Sequence, residues 1–168
     1  MVKVSICVPT YNNALEVERL LQSVHRQNYT DYEVNISDDS TNEETAELIE
    51  WIRTEWSWQD KLHYIHNEKP LGHIYNWNAA IKMAAGEYIK IMFSDDWFTD
   101  SDSLGTFVSM LDEHPKANLA FSGSMQVLLD GQDIEQVKHL NKQVTEHGNA
   151  FARYAEDAFI ERLHRNYK

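Results

Sequence analysis

The stretch GHIYNWNAAIKMAAGEYIKIMFSDD, residues 72–96, decides the fold because a helix, a strand and an acidic pair follow one another in it. Its first fifteen residues are predicted to form a helix that stops at Gly86. EYIKIM, residues 87–92, has the composition of a strand and runs directly toward Asp95 and Asp96. Two adjacent carboxylates beside bulky apolar groups repel each other unless a cation lies between them. The stretch therefore predicts a helix and a strand that lead to a cation site.

The same alternation of strand and helix extends through the preceding part of the chain. Strands are predicted at about residues 2–8, 32–37, 62–66 and 87–92, and helices at about residues 14–27, 40–56 and 72–86. Asn13 with Glu16, and Thr41 with Glu44, have the spacing of capping boxes at the starts of the first two helices. The order βαβαβαβ predicts an α/β fold with a Rossmann-type, mostly parallel sheet and helices on both faces.

Length and composition indicate one domain, residues 1–168, of the ordinary soluble type, with 42% apolar and 25% charged residues. The net charge of −12 argues against nucleic acid as a partner, because a phosphate backbone would repel the chain. No apolar run approaches the roughly 20 residues of a membrane span, and the first residues lack the pattern of a signal peptide. The only cysteine, Cys7, is predicted to be buried and has no disulfide partner in the chain, which fits a cytoplasmic location.

Polar residues follow three of the predicted strands, at residues 9–12, 38–40 and 94–96. Ligands of parallel sheets bind at the carboxyl ends of the strands, so these three segments are expected to form one site. They offer an aromatic ring, a pair of hydrogen-bond acceptors and an oxygen-rich patch, which together suit a nucleotide diphosphate. The chain has no glycine-rich phosphate loop. The charge of the diphosphate is therefore expected to be met by Mg²⁺ or Mn²⁺.

Three segments, VSICVPTYNN (4–13), ISDDST (36–41) and residues 67–97, resemble the nucleotide-binding half of the inverting GT-A glycosyltransferases of family two. The resemblance covers about residues 2–125 and implies a GT-A-like fold. It implies that the nucleotide-binding residues are Pro9, Tyr11, Asp39, Asn78 and Asp95, and that the metal ligands are Asp95 and Asp96. It also implies a nucleotide-sugar donor, expected to be a UDP-sugar, and a saccharide or other hydroxyl compound as acceptor.

The resemblance also implies a role for each of these residues. Pro9 and Tyr11 would shape the base pocket, with the Tyr11 ring stacked on uracil or another base. Asp39 would accept a hydrogen bond from a base N–H group. Asn78 would lie on the helix that passes near the diphosphate. Asp95 would bind the metal, and Asp96 beside it would contact the ribose or the metal.

The sequence departs from the family pattern at three places. Many members carry Asp at the position of Phe93, and many carry Arg at the position of Trp77. Where many members have Asp-Asp-Gly-Ser, this chain has residues 38–41, Asp-Asp-Ser-Thr. The first two changes remove one carboxylate and one cation that could hold the diphosphate.

The general base of the family, an Asp well beyond the metal motif, has no match in this sequence. Residues 126–168 are predicted to form a hairpin-like stretch and a C-terminal amphipathic helix marked by Phe151, Ala155, Ala158 and Phe159. Glu156 and Asp157 are expected on the solvated face of that helix. The chain is therefore expected to be the donor-binding part of a longer enzyme, ending before the acceptor-binding part, with any membrane association supplied by the missing parts.

Simpler structural roles remain open at this point. Tyr11 and Asn12 could be simple turn formers after Pro9, residues 38–40 could cap the second helix, and Asn78 could be a buried core amide. Two other functions compete with a metal-assisted, inverting hexosyltransferase of polysaccharide biosynthesis. One is a non-catalytic nucleotide-sugar-binding or interaction domain of the same fold. The other is a sugar nucleotidyltransferase, which would need a glycine-rich basic loop after the first strand.

Overall fold

The computed structural model describes residues 2–123 and the strand at residues 159–162. In chain order its elements are β1 (Val4–Thr10), α1 (Ala14–His25), β2 (Tyr32–Asp38), α2 (Glu44–Glu55), β3 (Leu62–His66), α3 (His73–Lys82), β4 (Tyr88–Ile91), α4 (Ser103–Glu113), β5 (Leu119–Phe121) and β6 (Phe159–Arg162). Within these residues no helix is both long enough and apolar enough to pass through a membrane.

The strands form one sheet in the order β3-β2-β1-β4-β6-β5. The four strands β1 to β4 are parallel, and β6 runs antiparallel to both of its neighbours, β4 and β5. The predicted α/β fold with a mostly parallel sheet is confirmed. Because β1 lies between β2 and β4, the loops that follow these three strands emerge side by side at one edge of the sheet.

The core lies on both faces of the sheet, as the alternation of side chains along β1 requires. Val4, Ile6 and Val8 belong to a large apolar cluster that also contains the buried apolar residues of α1, α2 and α4. Cys7 points to the other face and packs with Ala80 of α3 and with Ile89. Burial raises the pKa of the Cys7 thiol to about 12, and the nearby charge of Glu33 adds to this effect. Cys7 is thus a buried core residue, as predicted.

The predicted helices and strands up to residue 92 all exist, but both predicted capping boxes are wrong. The side chain of Asn13 makes no cap bond to α1, and α2 begins after Glu43, which also makes no side-chain cap bond. Asn13 and Thr41 instead bind residues that follow other strands. Long-range hydrogen bonds have replaced the local ones that the spacing suggested.

Gly86 does not stop α3, which ends four residues earlier at Lys82. A glycine is needed at position 86 because the backbone there passes very close to strand β1. A Cβ atom at this position would lie 2.7 Å from the backbone nitrogen of Ser5 and 2.8 Å from its Oγ. The chain therefore needs a residue without a side chain where it passes β1 on its way into β4.

The prediction of a C-terminal amphipathic helix is wrong at its last part, because residues 159–162 form strand β6. This strand fills the space between β4 and β5, so ladder hydrogen bonds to two neighbours outweigh the helical periodicity of the local sequence. The rest of that helix and the predicted hairpin lie outside the described residues, as do Glu156 and Asp157. Helix α4 and strands β5 and β6 were not predicted.

Candidate functional site

A cleft of about 560 Å³ opens at the carboxyl edge of the sheet, between the ends of β1, β2 and β4 and the start of α3. Four of the sequence-predicted site residues line it: Pro9, Tyr11, Asp39 and Asp95. Asn78 and Asp96 are not among the lining residues. The convergence of three strand ends on one site thus follows from the sheet order, and most of the candidate residues meet there.

The amide of Asn13 fixes the end of β1 to the loop after β4. Its Oδ1 accepts a hydrogen bond from Thr10 Oγ1 at 2.5 Å, and its Nδ2 donates to Ser94 Oγ. All three residues line the cleft. This bridge holds the Tyr11 side and the Asp95 side of the cleft at a fixed separation, and the sequence alone gave no sign of it.

Asp39 lies at the end of β2 and is only 3% exposed. Its Oδ1 accepts from Asn67 Nδ2 at 2.8 Å, and its Oδ2 accepts from the backbone N–H of Gly72, also at 2.8 Å. Since α2 has no side-chain cap, the alternative in which residues 38–40 cap that helix is wrong. Asp39 holds the loop before α3 while one side of its carboxylate faces the cleft.

Asp38, the neighbour of Asp39, has a structural role. Its carboxylate is fully buried and accepts hydrogen bonds from the backbone and the hydroxyl of Ser40 and from Tyr64 Oη, the last at 2.8 Å. Burial together with this Asp38 hydrogen bond raises the pKa of the Tyr64 phenol. Of the two adjacent carboxylates, Asp38 therefore holds other parts of the protein together, and only Asp39 lines the cleft.

The turn after β1 is built around Asn12, which adopts φ of 52°. Its backbone N–H donates to Ser40 Oγ at 2.8 Å, and its Oδ1 accepts from the backbone N–H of Thr41 at 2.9 Å. Asparagine tolerates this left-handed conformation better than most residues. The turn leaves the Tyr11 ring 55% exposed at the mouth of the cleft, where it can receive a flat ligand.

Asn76 is the asparagine of α3 that lines the cleft, and sequence reasoning missed it. It is 4% exposed, and its Nδ2 donates to the backbone oxygen of Thr10 at 3.0 Å. Asn78 follows two positions later, about 200° further around the helix, and it is exposed. The core role considered for Asn78 is therefore wrong. A signal was available in the sequence, because two asparagines two positions apart cannot share one helix face.

Asp95 is exposed in the turn after β4, whereas Asp96 is partly buried and its backbone N–H donates to the carbonyl of Phe93 at 2.9 Å. The described lining of the cleft contains two carboxylates, Asp39 and Asp95, and one imidazole, His73, but no lysine or arginine. A bound diphosphate would thus meet no fixed side-chain cation in this part of the chain.

The described residues contain no cluster of three or more His, Cys, Asp or Glu side chains that could hold a metal by itself. This arrangement still fits Mg²⁺ or Mn²⁺. Such ions often use one or two carboxylates and take their remaining ligands from substrate phosphates and water. Asp95, exposed in the cleft, is a carboxylate that could hold such an ion.

Phe93 and Trp77, two positions at which the sequence departs from the family pattern, meet in the cleft. Their ring centroids lie 4.8 Å apart with the ring planes at 50°. Both residues line the cleft, and Trp77 is 38% exposed. An aromatic pair thus stands next to the turn that carries Asp95.

The fold and the cleft define an α/β domain that is structurally similar to GT-A glycosyltransferases. The family model described as glycosyl transferase family 2 matches residues 5–153. The chain belongs to this family.

Three curated relatives illustrate the sequence similarity. A GalNAc(5)-diNAcBac-PP-undecaprenol beta-1,3-glucosyltransferase of Campylobacter jejuni is 25% identical over 149 residues, which are 85% of this chain and 47% of that protein. The abequosyltransferase RfbV of Salmonella typhimurium is 34% identical over 65% of this chain and 32% of its own length. The poly(ribitol-phosphate) beta-N-acetylglucosaminyltransferase TarS of Staphylococcus aureus is 30% identical over 68% of this chain and 20% of its own length. The chain thus spans less than half the length of each of these relatives.

Solved structures resemble the fold over most of the described part. TarS 1–349 of S. aureus in complex with UDP gives a TM-score of 0.63 at 28% identity and covers 76% of this chain and 38% of its own. The mannosyltransferase PcManGT of Pyrobaculum calidifontis, in complex with GDP-Man and Mn²⁺, gives 0.64 at 24% identity and covers 81% of this chain and 38% of its own. At that identity the second structure supports the fold alone.

Proposed function

We propose that this chain binds a nucleotide-sugar donor, a UDP-sugar, together with Mg²⁺ or Mn²⁺, as the donor-binding part of an inverting glycosyltransferase. The observation that carries the proposal is the composition of the cleft. It brings the exposed Tyr11 ring and the carboxylates of Asp39 and Asp95 together at the ends of three parallel strands, without a lysine or arginine in its described lining. The UDP complex of TarS, a relative with a similar fold, supports the choice of nucleotide.

Each proposed contact follows from the position of the residue. Tyr11, exposed at the mouth of the cleft after Pro9, stacks on the base. Asp39 accepts an N–H group of the base through lone pairs that its two bonds to the protein leave open. Asp96 is partly buried and is not among the described residues that line the cleft, and its backbone N–H donates to Phe93 within the turn that carries Asp95. Asn78 lies outside the cleft, so the proposed donor site is built without it.

The proposed reaction is transfer of the sugar to a hydroxyl group of the acceptor. In the full enzyme a base takes the proton of the acceptor hydroxyl as its oxygen attacks the anomeric carbon from the side opposite the diphosphate. The bond from that carbon to the diphosphate breaks, UDP leaves, and the configuration inverts. Asp95 would hold the divalent cation, which when bound supplies positive charge for the departing diphosphate. The protein itself supplies an ordered cleft, in which Asn13 and Asn76 fix the strand ends against each other and against α3.

A non-catalytic nucleotide-sugar-binding domain is the second candidate function. The observation in its favour is that the two carboxylates of the described cleft lining are both assigned to the donor. A sugar nucleotidyltransferase is not supported, because the turn after β1 consists of residues 11–13, Tyr-Asn-Asn, and holds no glycine. Measurement of sugar transfer separates the first two candidates.

Calorimetric titration with UDP tests the donor site. Affinity is expected to be at least tenfold higher in Mn²⁺ or Mg²⁺ than in EDTA, about 1.4 kcal/mol, and Asp95→Ala should abolish the difference. Asp60→Ala, which removes an exposed carboxylate outside the described cleft lining, is the matched control and should keep it. Equal affinity of the unmodified chain for UDP with and without metal would overturn the proposal of a metal-assisted donor site.

A further inference from the structure

The aromatic pair of Trp77 and Phe93 stands at one end of the cleft. The loops after β2, β1 and β4 follow one another along the edge of the sheet, because β1 pairs with both other strands. Asp39 follows β2, the Tyr11 turn follows β1, and Phe93 follows β4 together with Asp95. Neighbouring strands lie about 4.8 Å apart. Phe93 and its partner ring therefore lie roughly two strand spacings from the end of the cleft that Asp39 occupies.

This order along the sheet edge fixes which part of a donor can reach the rings. In the proposed function the base lies between Tyr11 and Asp39, and the diphosphate lies at Asp95. The sugar is attached to the far end of the diphosphate, so it is the part that continues past Asp95. Trp77 and Phe93 line the cleft at its β4 end, on the same side as Asp95, and they are in contact with each other at 4.8 Å between ring centroids.

The chemistry of this end of the cleft is apolar on one side and negative on the other. Trp77 is 38% exposed, so part of its surface remains accessible to a ligand. Aromatic faces bind the C–H face of a sugar ring through dispersion and through the negative charge of the ring face. Asp95 lies two residues from Phe93, and the described lining supplies no lysine or arginine to balance a further acid. With a divalent cation held by Asp95, the two negative charges of the sugar-linked diphosphate still leave a net charge of about −1 here, so a sugar that carries its own carboxylate would be repelled.

We propose that Trp77 and Phe93 together form the wall against which the sugar ring of the donor packs, and that this wall selects a neutral sugar over a hexuronic acid. The inference rests on the proposed function, since it takes the orientation of the donor from it. It assigns to Trp77 and Phe93, two of the three departures from the family pattern, a shared role in donor specificity. The pair acts through contact with the sugar, whereas the nucleotide is held by other residues.

The experiment compares a nucleotide with its sugar conjugates in the 168-residue chain with Mn²⁺. Dissociation constants are measured for UDP, UDP-N-acetylglucosamine and UDP-glucuronic acid, and for GDP and GDP-mannose as a second pair. The variants are Trp77→Ala, Trp77→Leu, Phe93→Ala and Phe93→Leu. The leucine variants keep apolar volume but remove the ring. Trp51→Ala is the matched control, because Trp51 is also an exposed tryptophan, at 50%, and lies on α2 outside the described cleft lining.

The unmodified chain is expected to bind a neutral sugar nucleotide more tightly than the free nucleotide, and UDP-glucuronic acid least well. The Trp77 and Phe93 variants should weaken binding of the neutral conjugate about three- to tenfold, the range expected for loss of an aromatic contact. Binding of UDP itself should change by less than about twofold, which also shows that each variant is folded. Trp51→Ala should change neither constant.

Two results would overturn the inference and leave the proposed function intact. Equal weakening of UDP and of its conjugate would place the rings on the nucleotide, and unchanged binding of both would make the pair purely structural. Failure of the unmodified chain to bind UDP and GDP at all would overturn the proposed function and this inference with it.

Discussion

The carboxylate of Asp39 accepts the backbone N–H of Gly72 at 2.8 Å, which ties the end of β2 to the loop that leads into α3. Gly72 adopts φ of +82°, a conformation that glycine tolerates and that most residues avoid. The second oxygen of Asp39 accepts from Asn67. The Asp39 side chain therefore holds both Asn67 and the loop at Gly72 in place, and its remaining lone pairs are available to accept hydrogen bonds from a ligand.

Asp39→Asn is expected to weaken UDP binding about tenfold, because an amide offers one acceptor oxygen where the carboxylate offers two. The unfolding free energy should fall by about 1 kcal/mol through the altered bonds to Asn67 and Gly72. In the unmodified chain UDP should outcompete ADP, since adenine N1 is an acceptor and would face the carboxylate. Competition titrations with UDP and ADP and urea unfolding measure these effects.

Asp38→Asn is the matched control for this prediction. Asp38 is buried and binds Ser40 and Tyr64, and it is not among the residues that line the cleft. This change should lower stability by a similar amount and leave UDP affinity unchanged. A large fall in stability for Asp39→Asn with unchanged UDP binding would show that Asp39 is only a structural residue.

Two glycines give a paired prediction about stability. In Gly86→Ala the new methyl group would lie 2.7 Å from Ser5 N and 2.9 Å from the carbonyl carbon of Val4, so β1 or β4 must shift. We expect a loss of about 1–3 kcal/mol, the usual cost of overpacking. In Gly105→Ala, within α4, the methyl group would meet Tyr29 Cβ at 3.6 Å, an ordinary contact. That variant should gain about 0.5–1 kcal/mol because alanine favours helix over glycine.

Urea unfolding of both glycine variants beside the unmodified chain measures this difference. The decisive result is the sign of the change in unfolding free energy. A loss at Gly86 indicates close backbone contact, whereas a gain at Gly105 indicates the higher helix propensity of alanine. Equal and small effects at both positions would contradict the assignment of Gly86 to a tight passage between β1 and β4.

The order of strands and helices could be predicted from sequence because it depends on local periodicity. The stripe of Val17, Leu20, Leu21 and Val24 in α1 is buried as its spacing requires. Helix α4 has the same kind of buried stripe, formed by Leu104, Phe107, Val108 and Leu111. Its periodicity was therefore sufficient to predict this helix as well. Strand β6 could not be predicted from local periodicity, because its conformation depends on pairing with β4 and β5, which lie far away in the sequence.

The candidate site could be predicted as a location but only partly as a set of side chains. Three strand ends had to converge once the sheet was parallel, and this placed Tyr11, Asp39 and Asp95 together. Local spacing assigned Asn13 to a helix cap, whereas its side chain bonds to Ser94, and Asn76 was not among the predicted site residues. The error at Asn13 arises because an amide can bond across the fold, and the direction in which it points depends on packing that one sequence does not show.

The hydrogen bonds of the buried Glu33 carboxylate determine how the unfolding free energy is expected to change with pH. Glu33 is 8% exposed on β2, and its Oε1 accepts from Ser5 Oγ at 2.6 Å, Ala85 N at 2.7 Å and Asn35 Nδ2 at 3.0 Å. Burial alone would raise the pKa of Glu33, but these hydrogen bonds outweigh it and lower the pKa below the ordinary value of 4.5. The stabilisation is therefore complete above about pH 4.5 and is lost as the pH falls through the lowered pKa of the folded state.

Glu33→Gln should lower the unfolding free energy at pH 7 by about 1–3 kcal/mol, because bonds to a charged acceptor are replaced by bonds to an amide. The variant should also lose less stability than the unmodified chain between pH 5 and pH 3, approximate limits that bracket the ordinary pKa. Glu47→Gln, at an exposed position of α2, makes the same charge change and serves as the control. Parallel pH profiles for Glu33→Gln and the unmodified chain would contradict the role assigned to the buried carboxylate.

The 168-residue chain by itself is expected to bind the donor without transferring its sugar. Inverting transfer needs a base within about 2.6–3.2 Å of the acceptor hydroxyl and a surface that holds the acceptor. In the described lining of the cleft both carboxylates, Asp39 and Asp95, are proposed to bind the donor. Slow hydrolysis of the donor to UDP can persist, because water needs no dedicated acceptor surface.

Product analysis with UDP-sugars, Mn²⁺ and a mixture of saccharide acceptors tests this expectation. The expected products are UDP and free sugar, formed slowly, with glycoside below detection. Asp95→Ala should reduce even this hydrolysis, since the cation that stabilises the departing diphosphate would be lost. Rapid glycoside formation would contradict the prediction and would place the base within the chain. His73, which lines the cleft at the start of α3, and the predicted surface pair Glu156 and Asp157 would then be the first residues to replace.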